Sequence, residues 1–491
     1  MVPLWLLQSL PPNRQLPPLS LIKRHSRLGF NLKRCLALMP LLLLPYATTT
    51  QALSATTAQV IHGTQPYLTF DNGVTKVTTT EGLLGITISD GTTQTTYTPD
   101  NTSTAANPIV LRAANQRFTD IGMLVPTNTD SIALNALIGA PYNYWGDDDG
   151  DGQGANGVTA SGTLSVRITD KDNQAVSRNT VLSACSGAPY KVELTSTAGS
   201  LTTRYGLPNS SSFSGGTATY YISPPPTICY AQPNLKYGSN NESGYSGENF
   251  AGPATIWNPT KGFLVQSTTP SSYNRNFPTT GANNLYFDLD IGGVKGSALT
   301  WPTVSQEGIT ATMTPSPDNA NNIRVTLNGP HMNSNIKTVL LPQTFVLVGY
   351  DSSYREVVRY GFVLKQWFIN NGSNCDKYAH VLSLCSRLGY HVAEFKELTN
   401  NASRNSSGAI VGTYQRNIGA GLFSEWGYMP SYTGSGFSTN FRGAAFYWTS
   451  TKANSRDMWC VNSTDGAKVS DVRNTPDDHC EYEVCATNIV H

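Results

Sequence analysis

The sequence is poor in charge and in long apolar segments. Asp, Glu, Lys and Arg make up 13% of its 491 residues, about half the usual globular share. The 33 basic and 32 acidic residues give a formal net charge of +1. Such a balance argues against a nucleic-acid or polyanion partner. No apolar run after residue 47 approaches the roughly 20 residues of a membrane-spanning helix, so we expect no transmembrane segment in the mature chain.

Signatures of catalysis are also missing. The sequence contains no Gly-x-Ser-x-Gly elbow, no His-Glu-x-x-His helix and no phosphate-binding glycine loop, and these are the local patterns of hydrolases and nucleotide-binding enzymes. Its seven His residues are scattered, and no Cys-x-x-Cys spacing occurs. We therefore expect a protein that is not an enzyme, with a glycan-active enzyme as a remaining alternative.

The N-terminal residues 1–52 predict export. Lys33 and Arg34 precede an apolar run over 35–47, and Thr50-Gln51-Ala52 supplies the small residues that a signal peptidase requires. We expect these residues to be an N-terminal extension and signal peptide, and the mature protein to be extracellular or at the bacterial cell surface, with the periplasm as the alternative.

Cysteine content agrees with export. Seven cysteines follow the predicted signal, and an oxidising compartment would convert most of them to disulfides. Cys185 and Cys229 both lie in the middle of the chain and most simply pair with each other.

The middle of the chain reads as β-sheet. Segments of alternating apolar and polar residues, separated by Gly, Asn, Pro and Ser clusters, predict strands at 85–89, 162–168, 190–194, 323–327 and 344–348. Their spacing favours one or more immunoglobulin-like β-sandwiches over 108–350. A Thr-rich β lead-in is expected over 53–107.

The last third of the chain combines helical periodicity with cysteine and tryptophan. Leu382, Cys385 and Leu388 recur at helical spacing before Gly389, and Val392, Phe395 and Leu398 predict a second short helix. Tryptophans and three further cysteines follow. This order resembles a C-type lectin-like domain, expected here as an α+β domain over 351–491. The resemblance implies disulfides between Cys385 and Cys485 and between Cys460 and Cys480. Cys375 is then left as a free thiol, an interchain link or a competitor for the partner of Cys385.

Longer motifs resemble the enterobacterial invasin and intimin family of adhesins. They occupy segments spread along the chain: 144–152, 204–209, 359–368, 414–421 and 425–427. The resemblance covers most of the chain from about residue 53 and implies adhesion at a bacterial surface to a cell-surface protein or glycan receptor. The alternative is a secreted or periplasmic structural module without a receptor.

Aromatic residues near the C-terminus are candidates for the contact surface, because aromatic side chains dominate interface hot spots. The ligand-binding candidates are Trp426, Tyr428 and Tyr432. We expect Tyr428 and Tyr432 at the surface, whereas Trp426 and Trp448 are better interpreted as core. The Glu-Pro-Asn, Gln-Pro-Asp and Trp-Asn-Asp motifs of calcium-dependent sugar binding are absent, which favours binding that does not need calcium in this region.

The acidic run 147–152 is the one candidate cofactor site. Asp147, Asp149 and Asp151 occupy positions one, three and five of a calcium loop, and Gly152 occupies position six. Position twelve, however, is Val158 rather than a bidentate Glu. The run is thus either a Ca²⁺ site or a solvated acidic turn.

Overall fold

β-Strands dominate the part of the chain that the structure describes. This computed structural model describes residues 62–150, 157–242, 250–332, 334, 338–401, 414–437, 445–455, 457–469 and 481–488. They belong to one compact unit, Val60–His491. The predicted signal segment 1–52 lies outside the described residues.

The first β region precedes residue 224. Its strands are β1 (Tyr67–Leu68), β2 (Ile86–Ser89), β3 (Gln94–Tyr97), β4 (Ile109–Val110), β5 (Ser131–Ala133), β6 (Trp145–Gly146), β7 (Val158–Ser161), β8 (Thr163–Thr169), β9 (Tyr190–Ser196), β10 (Gly199–Thr203), β11 (Ser210–Phe213) and β12 (Gly216–Ser223). Two short helices, α1 (Thr80–Leu83) and α2 (Leu134–Leu137), and a 3₁₀ turn at Phe118–Asp120 lie between them.

Two sheets of this region share one core. The described strands form a five-stranded sheet in the order β4-β12-β9-β8-β5 and a three-stranded sheet in the order β11-β10-β7. Strand β9 alternates as predicted, with Val192 and Leu194 buried and Lys191 and Glu193 facing outward. Ile86, from the expected lead-in, packs in the same core as Leu194.

The second β region follows directly. It contains β13 (Thr227–Gln232), β14 (Trp257–Asn258), β15 (Gly262–Leu264), β16 (Thr280–Ala282), β17 (Leu285–Gly292), β18 (Val304–Gln306), β19 (Ile309–Pro315), β20 (Ile323–Asn328), β21 (Gln343–Tyr350) and β22 (Glu356–Leu364), with 3₁₀ turns at Pro270–Arg275 and Gly296–Ala298. Seven strands form a sheet in the order β14-β15-β13-β17-β20-β19-β18, and β21 pairs with β22 as a hairpin.

The hairpin packs its aromatic side chains on that sheet. The rings of Phe345 and Phe362 stack at 5.2 Å, and Phe362 meets Phe287 of β17 at 6.0 Å. Burying one such side chain contributes roughly 1.5–3 kcal/mol. These two layers, with the pair of sheets before them, are the β-sandwich architecture that the strand spacing predicts.

The lectin-like region closes the chain. Its elements are β23 (Gln366–Asp376), α3 (Tyr378–Arg387), β24 (His391–Val392), α4 (Phe395–Leu398), α5 (Leu422–Trp426), a 3₁₀ turn at Met429–Ser431, β25 (Phe446–Lys452), β26 (Met458–Asn462), β27 (Lys468–Val469) and β28 (Glu481–Ala486). The first and last strands, β23 and β28, pair antiparallel. A disulfide joins Cys385 of α3 to Cys485 of β28. The predicted fold class, mainly β with an α+β C-type lectin-like end, is confirmed.

The first of the two predicted helices matches the observed one closely, whereas the second is shorter than predicted. Helix α3 ends as expected before Gly389, whose φ of 78° suits glycine. Its buried residues are Val381 and Cys385, whereas Leu382 is half-exposed. The second helix is a single turn, because Val392 belongs to β24 and not to α4.

One hydrophobic core runs from the second β region into the lectin-like region. It contains Phe287 and Leu327 of the sandwich together with Trp448 and Val484 of the lectin-like sheet. Strand β16 reinforces this continuity, because it lies in the chain before β17 yet pairs parallel with β23. The two regions therefore share both a core and a sheet.

Candidate functional site

The motif segment 414–427 lies at the junction of the second β region and the lectin-like region. Helix α5 begins after Gly421, at φ 97°, and ends at Gly427, at φ 77°. A side chain at position 421 would press on the backbone of Leu398 at 2.6 Å, and one at position 427 would collide with the guanidinium of Arg416. These two glycines therefore let α5 fit tightly into the junction.

Glu425 of α5 is a buried carboxylate with a full set of donors. It accepts hydrogen bonds from the backbone N–H and the hydroxyl of both Thr279 and Thr280, at 2.6–3.2 Å, and from the N–H of Gly419 at 2.6 Å. Burial raises the pKa of Glu425, and the donors from Thr279, Thr280 and Gly419 oppose that rise. Because every donor needs an acceptor, we assign the charged form. Glu425 thus ties α5 to the start of β16.

Arg416 performs the corresponding role with a buried cation. Its guanidinium donates to the carbonyl oxygens of Asn234, at 2.8 Å, and Glu425, at 3.0 Å, and lies over the Trp257 ring at 4.2 Å. Burial lowers its pKa, although an arginine remains charged at neutral pH. The two charged residues of the motif segment are therefore junction residues, which sequence reasoning did not assign.

Trp426 and Tyr432, two of the predicted contact residues, are buried. The Trp426 indole donates to the carbonyl of Thr280 at 3.0 Å, and its ring meets Phe277 at 4.9 Å. The prediction that Tyr432 is exposed is wrong, because its side chain is 2% exposed. Its hydroxyl donates to the Trp426 carbonyl at 2.7 Å and accepts from the Asn234 N–H at 2.8 Å. These two partners remove the cost of burying the phenol.

Tyr428 is the predicted contact residue that reaches the surface. It is half-buried, with the exposed Lys236 ammonium 4.1 Å above its ring and the Tyr237 ring at 6.1 Å. Lys236 and Tyr237 come from the second β region, whereas Tyr428 comes from the lectin-like region. We call these three residues the junction patch. An aromatic pair beside a lysine offers apolar area and positive charge to a ligand.

The acidic run is only partly described. Asp148 binds Lys76 at 2.6 Å and the Tyr67 hydroxyl at 3.0 Å, and these hydrogen bonds lower its pKa. Asp149 accepts from the Thr64 N–H, and Asp147 is buried. Asp151 lies outside the described residues. Within the described residues no group of three or more His, Cys, Asp or Glu is placed to hold a metal ion. The Ca²⁺ site stays a prediction.

Two of the three predicted disulfides are present. Cys185 bonds to Cys229, which joins the two β regions, and Cys385 bonds to Cys485. The assignment of Cys460 to Cys480 is wrong, because Cys460 is a buried free thiol whose pKa burial raises. Cys480 lies outside the described residues. Cys375 is disulfide-bonded, so it is neither a free thiol nor a competitor for Cys485.

Three of the four described histidines make side-chain hydrogen bonds within the protein. His380 contacts Asp376 at 2.7 Å, His391 contacts Glu397 at 2.8 Å, and the ring of His331 contacts the Gly329 carbonyl at 3.1 Å.

Across the described ranges, no helix combines the length and the apolar character needed to cross a membrane.

Taken together, these features define a mainly β protein with disulfide-tied β-sandwich regions and a C-type lectin-like end. No protein-family model and no curated protein matches the chain. The solved structures that match the chain include those of two bacterial adhesins, invasin and intimin. Invasin, a bacterial integrin-binding protein, matches at 15% identity and a TM-score of 0.34 over 68% of this chain and 52% of that chain. The present chain thus spans about half the length of the invasin structure.

Two intimin structures also match. A C-terminal fragment of intimin in complex with the intimin-binding domain of the translocated intimin receptor, Tir, matches at 12% identity and a TM-score of 0.31, over 67% of this chain and 93% of that chain. An intimin mutant from enterohaemorrhagic O157:H7 matches at 15% identity and a TM-score of 0.26, over 43% and 88%. All three matches have TM-scores below 0.5 and identities of 15% or less, so the functional arguments below use the chain's own geometry.

Proposed function

We propose that this chain is an adhesin-like protein that binds a receptor on a cell surface through its C-terminal lectin-like region. The observation that carries the proposal is the junction patch. Tyr428 and Tyr237 present aromatic surface beside the exposed Lys236, and such residues supply binding energy at protein interfaces.

The support beneath the patch favours a binding role. Tyr428 follows α5, which hydrogen bonds join to the second β region: Glu425 accepts from the Thr280 N–H, and Arg416 donates both to the Asn234 carbonyl and to the Glu425 carbonyl of α5. A contact residue held by a packed second layer loses little conformational entropy on binding. The receptor class that we propose is a protein, which is also the class of partner named for invasin and for intimin.

Cell binding by residues 60–491 tests this role. Tyr428→Ala should weaken binding to epithelial cells at least tenfold, with or without a chelator, and leave the melting temperature nearly unchanged because the ring is half-exposed. The control is Tyr354→Ala, which removes an 83% exposed tyrosine from the β21–β22 turn. No binding by the unmodified protein, or equal loss in both variants, would contradict the proposal and favour a structural module without a receptor.

Export is part of the same proposal. Disulfides such as Cys185–Cys229 and Cys385–Cys485 persist in oxidising compartments, so they support secretion or periplasmic delivery by the predicted signal over 1–52. Mass spectrometry of the exported protein should find its first residue near position 53. Retention of the intact N-terminus in the exported protein would contradict a cleaved signal.

A further inference from the structure

A polar pocket of about 410 Å³ lies where the second β region meets the lectin-like region. One part of its wall comes from β17, β20 and the turn between β19 and β20, and another comes from residues 232–235 at the end of β13 and from the β14–β15 turn. Ser431 and Tyr432 close it from the lectin-like side. The volume lies within the range of small-molecule sites. We call it the junction pocket; its polar residues include Asn234, Lys261, Asp288, Asp318, Asn322 and Arg324.

An ion-pair network fixes one wall. Arg324 contacts Asp288 at 2.8 Å and Asp318 at 2.5 Å, and its guanidinium lies 4.2 Å from the centre of the Tyr286 ring. Asp318 is 78% exposed in its side chain, whereas Arg324 is 17% exposed. The network therefore holds the cation in place while one carboxylate stays open to a ligand.

The turn before β20 also carries an unused hydrogen-bond acceptor. Asn322 lines the pocket, is 4% exposed, and its Oδ1 has no hydrogen-bond partner. A buried polar atom without a partner is costly, so native proteins rarely leave one. A hydroxyl of a bound ligand could satisfy the Asn322 amide after a small rotation of the side chain.

The chemistry of the lining selects the ligand. Lys261 and Arg324 carry positive charge, Asp288 and Asp318 carry negative charge, so the pocket has no net preference for an anion or a cation. Amides, carboxylates and a guanidinium together offer both donors and acceptors at short spacing. Vicinal hydroxyl groups, which donate and accept at once, match such a wall better than an apolar ligand or a simple ion.

We propose that the junction pocket binds a neutral sugar residue, a hexose or an N-acetylhexosamine at the end of a glycan, without calcium. The site is distinct from the junction patch, and it involves none of the loop residues expected to coordinate calcium. It adds a glycan-binding activity that does not depend on the receptor role proposed for Tyr428.

Saturation-transfer NMR with residues 60–491 in a chelator tests the proposal. The probes are the methyl glycosides of glucose, galactose, mannose, N-acetylglucosamine and N-acetylgalactosamine. At least one should give a signal, and Asp318→Ala should raise its Kd at least tenfold. The matched control is Asp351→Ala, which breaks another partly exposed Asp–Arg pair, with Arg355 in the β21–β22 turn, and should change Kd less than twofold.

Asn322→Ala provides a second variant. Because its Oδ1 has no partner in the protein, this variant should keep the melting temperature while weakening sugar binding. Absence of a signal from all five glycosides, or binding within twofold of the unmodified protein in both pocket variants, would overturn the proposal. Tyr428→Ala should retain sugar binding, so that failure of the receptor proposal and failure of this one give different results.

Discussion

Individual side chains hold the lectin-like region against the second β region, and Glu425 does so with a buried charge. Its carboxylate accepts hydrogen bonds from Thr279, Thr280 and Gly419. Removing a buried charge partner usually costs more than the pair contributes, because the remaining groups lose both water and their acceptor. Substituting Glu425 therefore tests how much the buried hydrogen bonds at the junction stabilise the fold.

We expect Glu425→Gln to lower the free energy of unfolding by about 3 kcal/mol, since an amide brings donors to face the donors of Thr279 and Thr280. Urea unfolding of residues 60–491 measures the change. The control Glu356→Gln removes an exposed partner of Arg359 and should cost less than about 1 kcal/mol. Equal effects of the two variants would show that the buried contacts of Glu425 do not stabilise the fold.

Cys460 gives a second residue-scale prediction. A buried thiol with a raised pKa forms little thiolate and reacts slowly. Residues 60–491 should therefore bind no thiol reagent when folded and one equivalent, at Cys460, after denaturation.

Because Cys375 is disulfide-bonded, we expect peptide mapping to find it linked to Cys480. A peptide linking Cys460 to Cys480 would contradict the buried free thiol.

Among the secondary-structure elements, sequence patterns predicted the strands and the helix whose bounds depend on neighbouring residues. Alternation placed β8, β9, β20 and β21 within one or two residues of their observed bounds, and helical spacing with a glycine stop placed α3. The burial of Tyr432 could not be predicted from local sequence, because its hydrogen-bond partner Asn234 is 198 positions away. A tyrosine among Ser and Gly residues looks like a surface residue until that distant backbone supplies its hydrogen bond.

The elements β24 and α4 are joined by a titratable pair. His391 contacts Glu397 at 2.8 Å, and Glu397 also accepts from Gln366 of β23 at 2.5 Å. The hydrogen bond with Glu397 raises the pKa of His391 against the opposing effect of burial. The stabilisation by charged His391 is thus fully present below the unfolded pKa, about 6.5, and is lost as the pH rises through the higher folded value.

We therefore expect the melting temperature of the unmodified protein to exceed that of His391→Gln most strongly near pH 6, with the difference shrinking at pH 8 and above. Thermal unfolding of residues 60–491 in low salt across this range measures it. His380→Gln, on an exposed part of α3, is the control and should change the melting temperature little. A pH-independent difference for His391→Gln would rule out the charged pair.

For the whole molecule, the continuous hydrophobic core predicts that the second β region and the lectin-like region unfold together. The second β region and the lectin-like region share a core and the β16–β23 pairing, so neither can unfold without exposing the other. Arg416 and Glu425 would also lose their buried partners. The lectin-like region is therefore a part of a larger folding unit, despite its recognisable outline in the sequence.

We expect residues 226–491, with Cys229→Ala to prevent mispairing, to unfold in one cooperative thermal transition. Residues 366–491 alone should show no such transition, because Thr279, Thr280 and Asn234 are missing. Circular dichroism with thermal scanning compares the two fragments. A cooperative transition for the shorter fragment would establish that the lectin-like region folds independently.

The Cys185–Cys229 disulfide also sets how the protein responds to a pulling force. It joins positions 44 residues apart, and strands β9 to β12 lie inside the loop that it closes. Tension transmitted along the chain would pass through the sulfur bridge and leave that loop unloaded. Opening the first β region in a single-molecule extension experiment should therefore release roughly 150 Å less contour length, at about 3.5 Å per residue, than after reduction. In the adhesive role proposed above, the bridge would act as a tether that limits the extension of the protein under shear.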